Sequence, residues 1–238
     1  MSVDSIPRVR LLPPVGLRGA AGYNHRVRAL SIDTSTHGRV LIRDAGARSP
    51  WIIGFHGYAQ SAEDMLAELE RMPGAEQWNL ASAQALNRFY SRNDERVIAS
   101  WMTRQDRDDA IADNVAYVDR VIDRLAPAGP IVCVGFSQGA AMAYRAGVLG
   151  RHRVSGVIAL GGDIPPDVRD ARDRAWPPLL IGAGASDVWY TPAKVDVDVA
   201  FLESREVPFE IVRFTGGHEW TDEFRAAAGS WIARQARA

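Results

Sequence analysis

An apolar run, Ile131-Val132-Cys133-Val134, breaks into Gly135-Phe136-Ser137-Gln138-Gly139 and continues into the small residues Ala140 and Ala141. The run reads as a buried strand, and the small residues after it as the start of a helix packed close to that strand. The turn between them is so tight that Ser137 takes a strained backbone conformation. Side chains at positions 135 and 139 would collide with neighbouring strands. Such a turn lifts a serine hydroxyl out of the sheet edge, beside a helix amino terminus, which is the pattern of a nucleophile elbow. It also constrains the rest of the chain, which must supply an acid and then a histidine.

The elements on either side fit a sheet that accommodates the elbow. Residues 26–32 and 39–43 read as two strands joined by a polar turn at Thr36-His37-Gly38, an antiparallel N-terminal hairpin. Trp51-Ile52-Ile53-Gly54-Phe55 is a strand covered on both faces, and Ser61 caps a helix carrying Met65, Leu66, Leu69 and Met72. Residues 78–90 read as a strand continuing into a short helix. From Asp106, Ile111, Val115, Val118, Ile122 and Leu125 recur at helical spacing, and Pro127 and Gly129 close the helix. Strands follow at 154–160, 179–181 and 209–214. A helix is expected over 192–205, and a last one, capped by Thr221, turns Phe224, Ala228, Trp231 and Ile232 inward. Alternating strands and helices give an α/β fold, a mostly parallel doubly wound sheet with the N-terminal hairpin antiparallel. Residues 1–24, rich in Pro, Gly and Arg, are expected to be an extended lead-in, and residues 25–238 one domain.

Composition narrows the partners. In 238 residues, 47% are hydrophobic and 24% charged, the balance of a globular domain. The net charge of −1, without a long basic run, leaves no electrostatic footprint for nucleic acid or anionic lipid. Neither membrane insertion nor a nucleic-acid partner is expected; the partner is a small molecule, and the protein a monomer or homodimer. The single cysteine, Cys133, reads as a small buried apolar residue and allows no intrachain disulfide. The amino terminus lacks the apolar segment of a signal peptide, so the expected location is cytoplasmic. No His, Cys and carboxylate cluster has metal-ligand spacing, and no cofactor is expected.

In this architecture ligands bind beyond the carboxyl ends of the strands. The loops there are His56-Gly57-Tyr58-Ala59-Gln60, the Ser137 turn, the glycine-rich stretch from Gly182 to Tyr190, and Thr215-Gly216-Gly217-His218-Glu219-Trp220. A serine hydroxyl needs a base within hydrogen-bonding reach. His218 is the candidate base, and Asp187 the acid that would hold its tautomer and stabilise the imidazolium. Asp163 is a competing acid but fits a loop role better, ahead of Pro165 and Pro166. His25, His37 and His152 lie where no base is needed, and His56 is expected to buttress its own loop. Developing charge on a carbonyl oxygen would meet the N–H groups of Gln138 and Tyr58, with Gly57 permitting close approach. The Tyr58 ring either lines the pocket or simply packs.

The motifs His56-Gly57, Gly135-Phe136-Ser137-Gln138-Gly139-Ala140, Asp187-Val188 and Gly217-His218 resemble those of α/β-hydrolases, in particular the phospholipase/carboxylesterase group that includes acyl-protein thioesterases. The resemblance implies a triad of Ser137, Asp187 and His218, with oxyanion donors at Tyr58 and Gln138. Tyr58-Ala59-Gln60 stands where that group has a Gly-containing continuation, and Trp189-Tyr190 where it has a smaller pair. The N-terminal strands and Ala141-Met142-Ala143-Tyr144-Arg145 are also similar to polyester depolymerases and feruloyl esterases.

Trp101, Met102, Met142, Trp189, Tyr190 and Trp220 are the pocket candidates, with Trp220 and Met142 equally suited to the core. The segment 99–107 is expected to form one wall of the cleft. The expected activity is hydrolysis of short- to medium-chain carboxylic esters or thioesters through an acyl-enzyme on Ser137. Alternatives on the same triad are lysophospholipase, polyester depolymerase or feruloyl-esterase-like, and peptidase activity. An inactive hydrolase fold used for binding is the alternative of a different class.

Overall fold

The structure, a computed structural model, describes residues 9–11 and 29–236. The chain divides into two compact units, residues 1–37 and 38–238. In the first, β1 (Val9–Leu11) pairs antiparallel with β2 (Leu30–Ile32). The rest of the lead-in expected over 1–24 lies outside the described residues, as does His25.

The second unit is built on a seven-stranded sheet. Its strands are β3 (Arg39–Arg43), β4 (Trp51–Phe55), β5 (Asn79–Gln84), β8 (Ile131–Phe136), β9 (Gly156–Leu160), β10 (Leu179–Gly184) and β11 (Phe209–Phe214); a separate hairpin, β6 (Asn87–Tyr90) and β7 (Val97–Ser100), lies between β5 and β8 in sequence. Across the sheet the order is β11, β10, β9, β8, β4, β5, β3, all parallel except β3, which runs antiparallel to β5. The fold is the mostly parallel α/β sheet expected, and the N-terminal strands are antiparallel. Their partners differ from the expected hairpin: 39–43 finds its partner in β5, and Leu30–Ile32 pairs with Val9–Leu11.

The helices are α1 (Ala62–Glu70), α2 (Arg107–Leu125), α3 (Gln138–Val148), the single turn α4 (Pro166–Arg169), α5 (Pro192–Ser204) and α6 (Asp222–Gln235). Ser61 caps α1 in a reciprocal pair: its hydroxyl accepts from the Asp64 N–H while the Asp64 carboxylate accepts from the Ser61 N–H. Thr221 caps α6 by accepting from the Phe224 N–H.

Strands β4, β8 and β10 are buried along their whole length, which is why each reads as an unbroken apolar run. One core layer packs Ile53, Cys133, Val157 and Ile181 against α2, α3 and α5, and the other packs Ile52, Val134, Ile158 and Leu180 against α1 and α6. From β4 the chain moves outward to β5, then crosses back to β8 and proceeds the other way to β11. The reversal opens a crevice at the carboxyl ends of β4 and β8, the general location for a ligand in an open α/β sheet. Residues 78–90 differ from expectation: they form β5 and then β6, with no helix beyond β5.

Candidate active site

Ser137 stands between β8 and α3 with φ 55° and ψ −118°, a backbone region a serine occupies only when its surroundings force it. Two glycines create those surroundings. A Cβ on Gly139 would lie 1.9 Å from the Phe55 carbonyl oxygen, and one on Gly135 would lie 2.1 Å from the Gly139 carbonyl oxygen. Helix α3 therefore presses on β4 and β8 at a separation only glycine permits. The Ser137 N–H donates to Leu160 O at 2.8 Å, tying the turn to the end of β9.

Asp187 lies three residues beyond β10, where its N–H turns back to Gly184 O at 3.1 Å. Its Oδ1 accepts the N–H groups of Trp189 (2.8 Å) and Tyr190 (2.9 Å), and its Oδ2 lies 2.8 Å from His218 Nδ1. Burial pushes the Asp187 carboxyl up, but the hydrogen bonds from His218, Tyr190 and Trp189 outweigh it and hold the group below the ordinary carboxylate range. An ionised carboxylate only accepts, so Nδ1 carries the proton, and Nε2 is left to accept from the Ser137 hydroxyl, 2.7 Å away. Hydroxyl, imidazole and carboxylate thus form one hydrogen-bonded chain.

The loop bearing His218 is fixed from two sides. Ser186 donates to Gly216 O through both its N–H (2.9 Å) and its hydroxyl (2.7 Å). The Phe136 ring packs 5.0 Å from the imidazole. Gly161, at φ 66°, lies against the imidazole, where a Cβ would come within 3.1 Å of His218 Cε1.

Beside Ser137, the residues after β4 make a tight turn. The Gly57 N–H donates to Gln60 Oε1 at 2.7 Å, Ala59 N–H to Ala99 O at 3.0 Å, and Gln60 N–H to Gly57 O at 3.3 Å. Among the described residues this leaves the Tyr58 N–H as the amide of the turn without an acceptor. Gln138 is the first residue of α3, and its N–H has no intrahelical acceptor. Gly57 comes close to the serine, for a Cβ there would lie 3.3 Å from Ser137 Cβ.

The pocket candidates separate. Trp101, Met142 and Tyr190 are fully enclosed in the core and present no surface to a ligand, which corrects their expected place on the pocket wall. The Trp101 indole packs edge-on to Phe55 and donates to His56 O at 2.9 Å. Met102 and Trp220 are half-buried, with Trp220 against Phe136 and Phe224. Trp189 and Tyr58 are 71% and 62% exposed. Of the remaining polar residues, His56 buttresses its loop: its Nδ1 lies 2.7 Å from Gly57 O and its Nε2 accepts the Ala85 N–H at 3.1 Å. Asp163 pairs with Lys194 instead of a histidine. Burial pushes the Cys133 thiol up to about 12, consistent with an inert core residue. Among the described residues, no group of three or more His, Cys, Asp or Glu is placed to hold a metal ion.

One side chain beside Ser137 makes contacts that the sequence does not signal beyond its place in the elbow motif. The Gln138 amide reaches across to the end of β7 and the residues after it, accepting from the Trp101 N–H (2.8 Å) and the Ser100 hydroxyl (3.2 Å) and donating to Met102 O (2.9 Å).

A sequence model of the family described as phospholipase/carboxylesterase matches residues 39–172, from β3 through α4. The chain belongs to the phospholipase/carboxylesterase family. The match includes the Ser137 elbow and ends before Asp187 and His218. No curated protein matches the chain by sequence. Arabidopsis thaliana SOBER1 superposes with a TM-score of 0.67 at 19% identity, over 79% of this chain and 99% of that one. Bacillus cereus carboxylesterase does so at 0.65 and 16%, over 83% and 94%. Zea mays acyl-protein thioesterase 2 gives 0.64 and 17%, over 84% and 100%. At these identities the likeness is one of fold. Among the described residues no helix is long and apolar enough to cross a membrane.

Proposed function

We propose that this member of the phospholipase/carboxylesterase family is a serine esterase that cleaves short- to medium-chain carboxylic esters or thioesters through an acyl-enzyme on Ser137. The observation that carries the reading is the continuous chain from Ser137 Oγ through His218 to Asp187, with spacings of 2.7 and 2.8 Å. Ser137 Oγ attacks the carbonyl carbon while His218 Nε2 takes its proton. Asp187 stays ionised and stabilises the imidazolium. The N–H groups of Gln138 and Tyr58 meet the tetrahedral oxyanion, each contributing about 2.7–4 kcal/mol in sites of this kind. As the intermediate collapses, His218 returns the proton to the leaving alcohol or thiol, leaving the acyl group on Ser137. A water, deprotonated by His218, then attacks the acyl carbon and releases the carboxylic acid and the free serine.

The family's membership in ester-cleaving enzymes supports esters over amides, as do the names of the carboxylesterase and acyl-protein thioesterase relatives. Specificity constants over p-nitrophenyl esters of rising chain length, matched thioesters, lysophospholipids and p-nitroanilides test the reading. Ester and thioester turnover is expected, reduced about 10⁴-fold or more by Ser137→Ala. A dominant anilide rate would replace it with a peptidase, and dominant lysolipid turnover with a lysophospholipase.

A further inference from the structure

A second buried carboxylate, Asp198, lies behind the Asp187 loop and takes no part in the chemistry above. It sits on α5, fully buried, and accepts three donors: the Tyr190 hydroxyl at 2.8 Å, the Ile164 N–H at 3.2 Å and the Arg169 guanidinium. Arg169 also donates from Nε to Ile164 O at 3.2 Å and lies over the Phe201 ring, 4.9 Å from its centroid. A buried ion pair contributes little net stability, because desolvation offsets the attraction. Its consequence here is geometric.

Both ends of the cluster lead to the triad. The Tyr190 N–H donates to Asp187 Oδ1 at 2.9 Å, so the residue whose hydroxyl is tied to Asp198 also holds one oxygen of the Asp187 carboxylate. Ile164 closes the loop after β9. That loop opens at Gly161, against the His218 imidazole, and continues through Gly162, where a Cβ would meet Ser137 O at 2.6 Å. We propose that Asp198 is a positioning residue, clamping the Asp187 loop through Tyr190 and the Gly161–Ile164 loop through Ile164, so that Asp187 Oδ2 stays directed at His218 Nδ1. The inference rests on the reading of Ser137, His218 and Asp187 as the catalytic groups. Asp198 touches none of the reacting atoms; it acts through Tyr190 and Ile164.

Tyr190→Phe removes only the hydroxyl that reaches Asp198, and Asp198→Asn, at constant size, removes the charge and turns one accepting oxygen into a donating amide. For each variant and the double variant, kcat and KM are measured on p-nitrophenyl acetate, with circular dichroism to verify folding. The His218 Nδ1 proton is followed separately as a downfield ¹H NMR resonance, which needs no turnover. The clamp predicts that each single variant lowers kcat roughly 5- to 30-fold with KM within about twofold. The double variant falls no further than Asp198→Asn, since the Tyr190–Asp198 contact is already disturbed in that variant. The downfield resonance shifts or broadens in both.

An unchanged kcat and an unchanged resonance in folded Tyr190→Phe would overturn the proposal, as would multiplicative losses in the double variant. If Asp198→Asn does not fold, Tyr190→Phe decides alone. Wild-type protein that shows the resonance but hydrolyses no ester would contradict the proposed function. The resonance in Tyr190→Phe would then still decide the clamp.

Discussion

The Gln138 side-chain oxygen accepts the Trp101 N–H at 2.8 Å, joining the helix that starts at the nucleophile elbow to the segment after β7. The other end of the same amide donates to Met102 O. One residue thereby carries an N–H without an intrahelical acceptor at the start of α3 and ties the segment after β7 to that helix with its side chain.

Gln138→Ala separates these two contributions, because it keeps the N–H and removes the tether. The Trp101 N–H loses its partner in a buried setting, which costs about 1–3 kcal/mol. The expected result is a lower thermal midpoint with kcat/KM reduced about tenfold, well short of the loss from Ser137→Ala. Thermal denaturation and ester kinetics on the same preparation check it.

Gly139→Ala tests the close packing behind the elbow. The added methyl would sit 1.9 Å from the Phe55 carbonyl oxygen, and backbone cannot move aside as a flexible side chain can. Destabilisation at or above the usual overpacking range of about 1–3 kcal/mol is expected, read from the urea midpoint. Gly74→Ala, where a Cβ meets nothing within 4 Å, is the control; there only the strain of φ 86° is added.

The elbow and the parallel strands were legible because each rests on local physics, whereas Ser137, Asp187 and His218 were picked out by the order of the strand-end loops that carry them. Fully buried strands are apolar throughout, and a turn this tight admits only glycine on either side. The β6–β7 hairpin was not legible. Asn87-Arg88-Phe89-Tyr90 is exposed along its length and shows no one-sided alternation. The partner of residues 39–43 was hidden for another reason, since it is set by tertiary pairing with β5 and not by the nearby turn. Trp101 and Tyr190 read as pocket aromatics because their sequence neighbours are loop residues. Their polar atoms find buried partners in His56 O and Asp198, which lets the rings enter the core.

Trp101 and Trp189 should therefore behave oppositely on substitution. Trp101→Ala removes a fully buried ring and its hydrogen bond, and is expected to cost about 3–5 kcal/mol. Trp189→Ala, at a site 71% exposed, should change stability by no more than about 0.5 kcal/mol. Urea denaturation of the two variants distinguishes them.

Stability should decline in acid, in part through Asp187 and Asp167. For Asp167, burial raises the carboxyl, but the Arg145 guanidinium, at 2.7 and 2.9 Å, outweighs it and lowers the group overall. Each holds its proton less tightly folded than unfolded. Their contribution is thus present above the unfolded value of about 3.9 and is lost as pH falls below it, toward the lower folded values. Asp187→Asn should be less stable than wild type at pH 6, with the gap narrowing between pH 4 and pH 2. Denaturant midpoints across that range measure it.

The proposed esterase chemistry requires above all that Ser137 be an activated nucleophile. Incubation of the folded protein with a fluorophosphonate, followed by peptide mass spectrometry, tests this in one step. A single phosphonyl adduct on Ser137, absent in Ser137→Ala and much slower in His218→Ala, is the predicted result. Folded wild-type protein that remains unlabelled, or labelling that persists in Ser137→Ala, would contradict it.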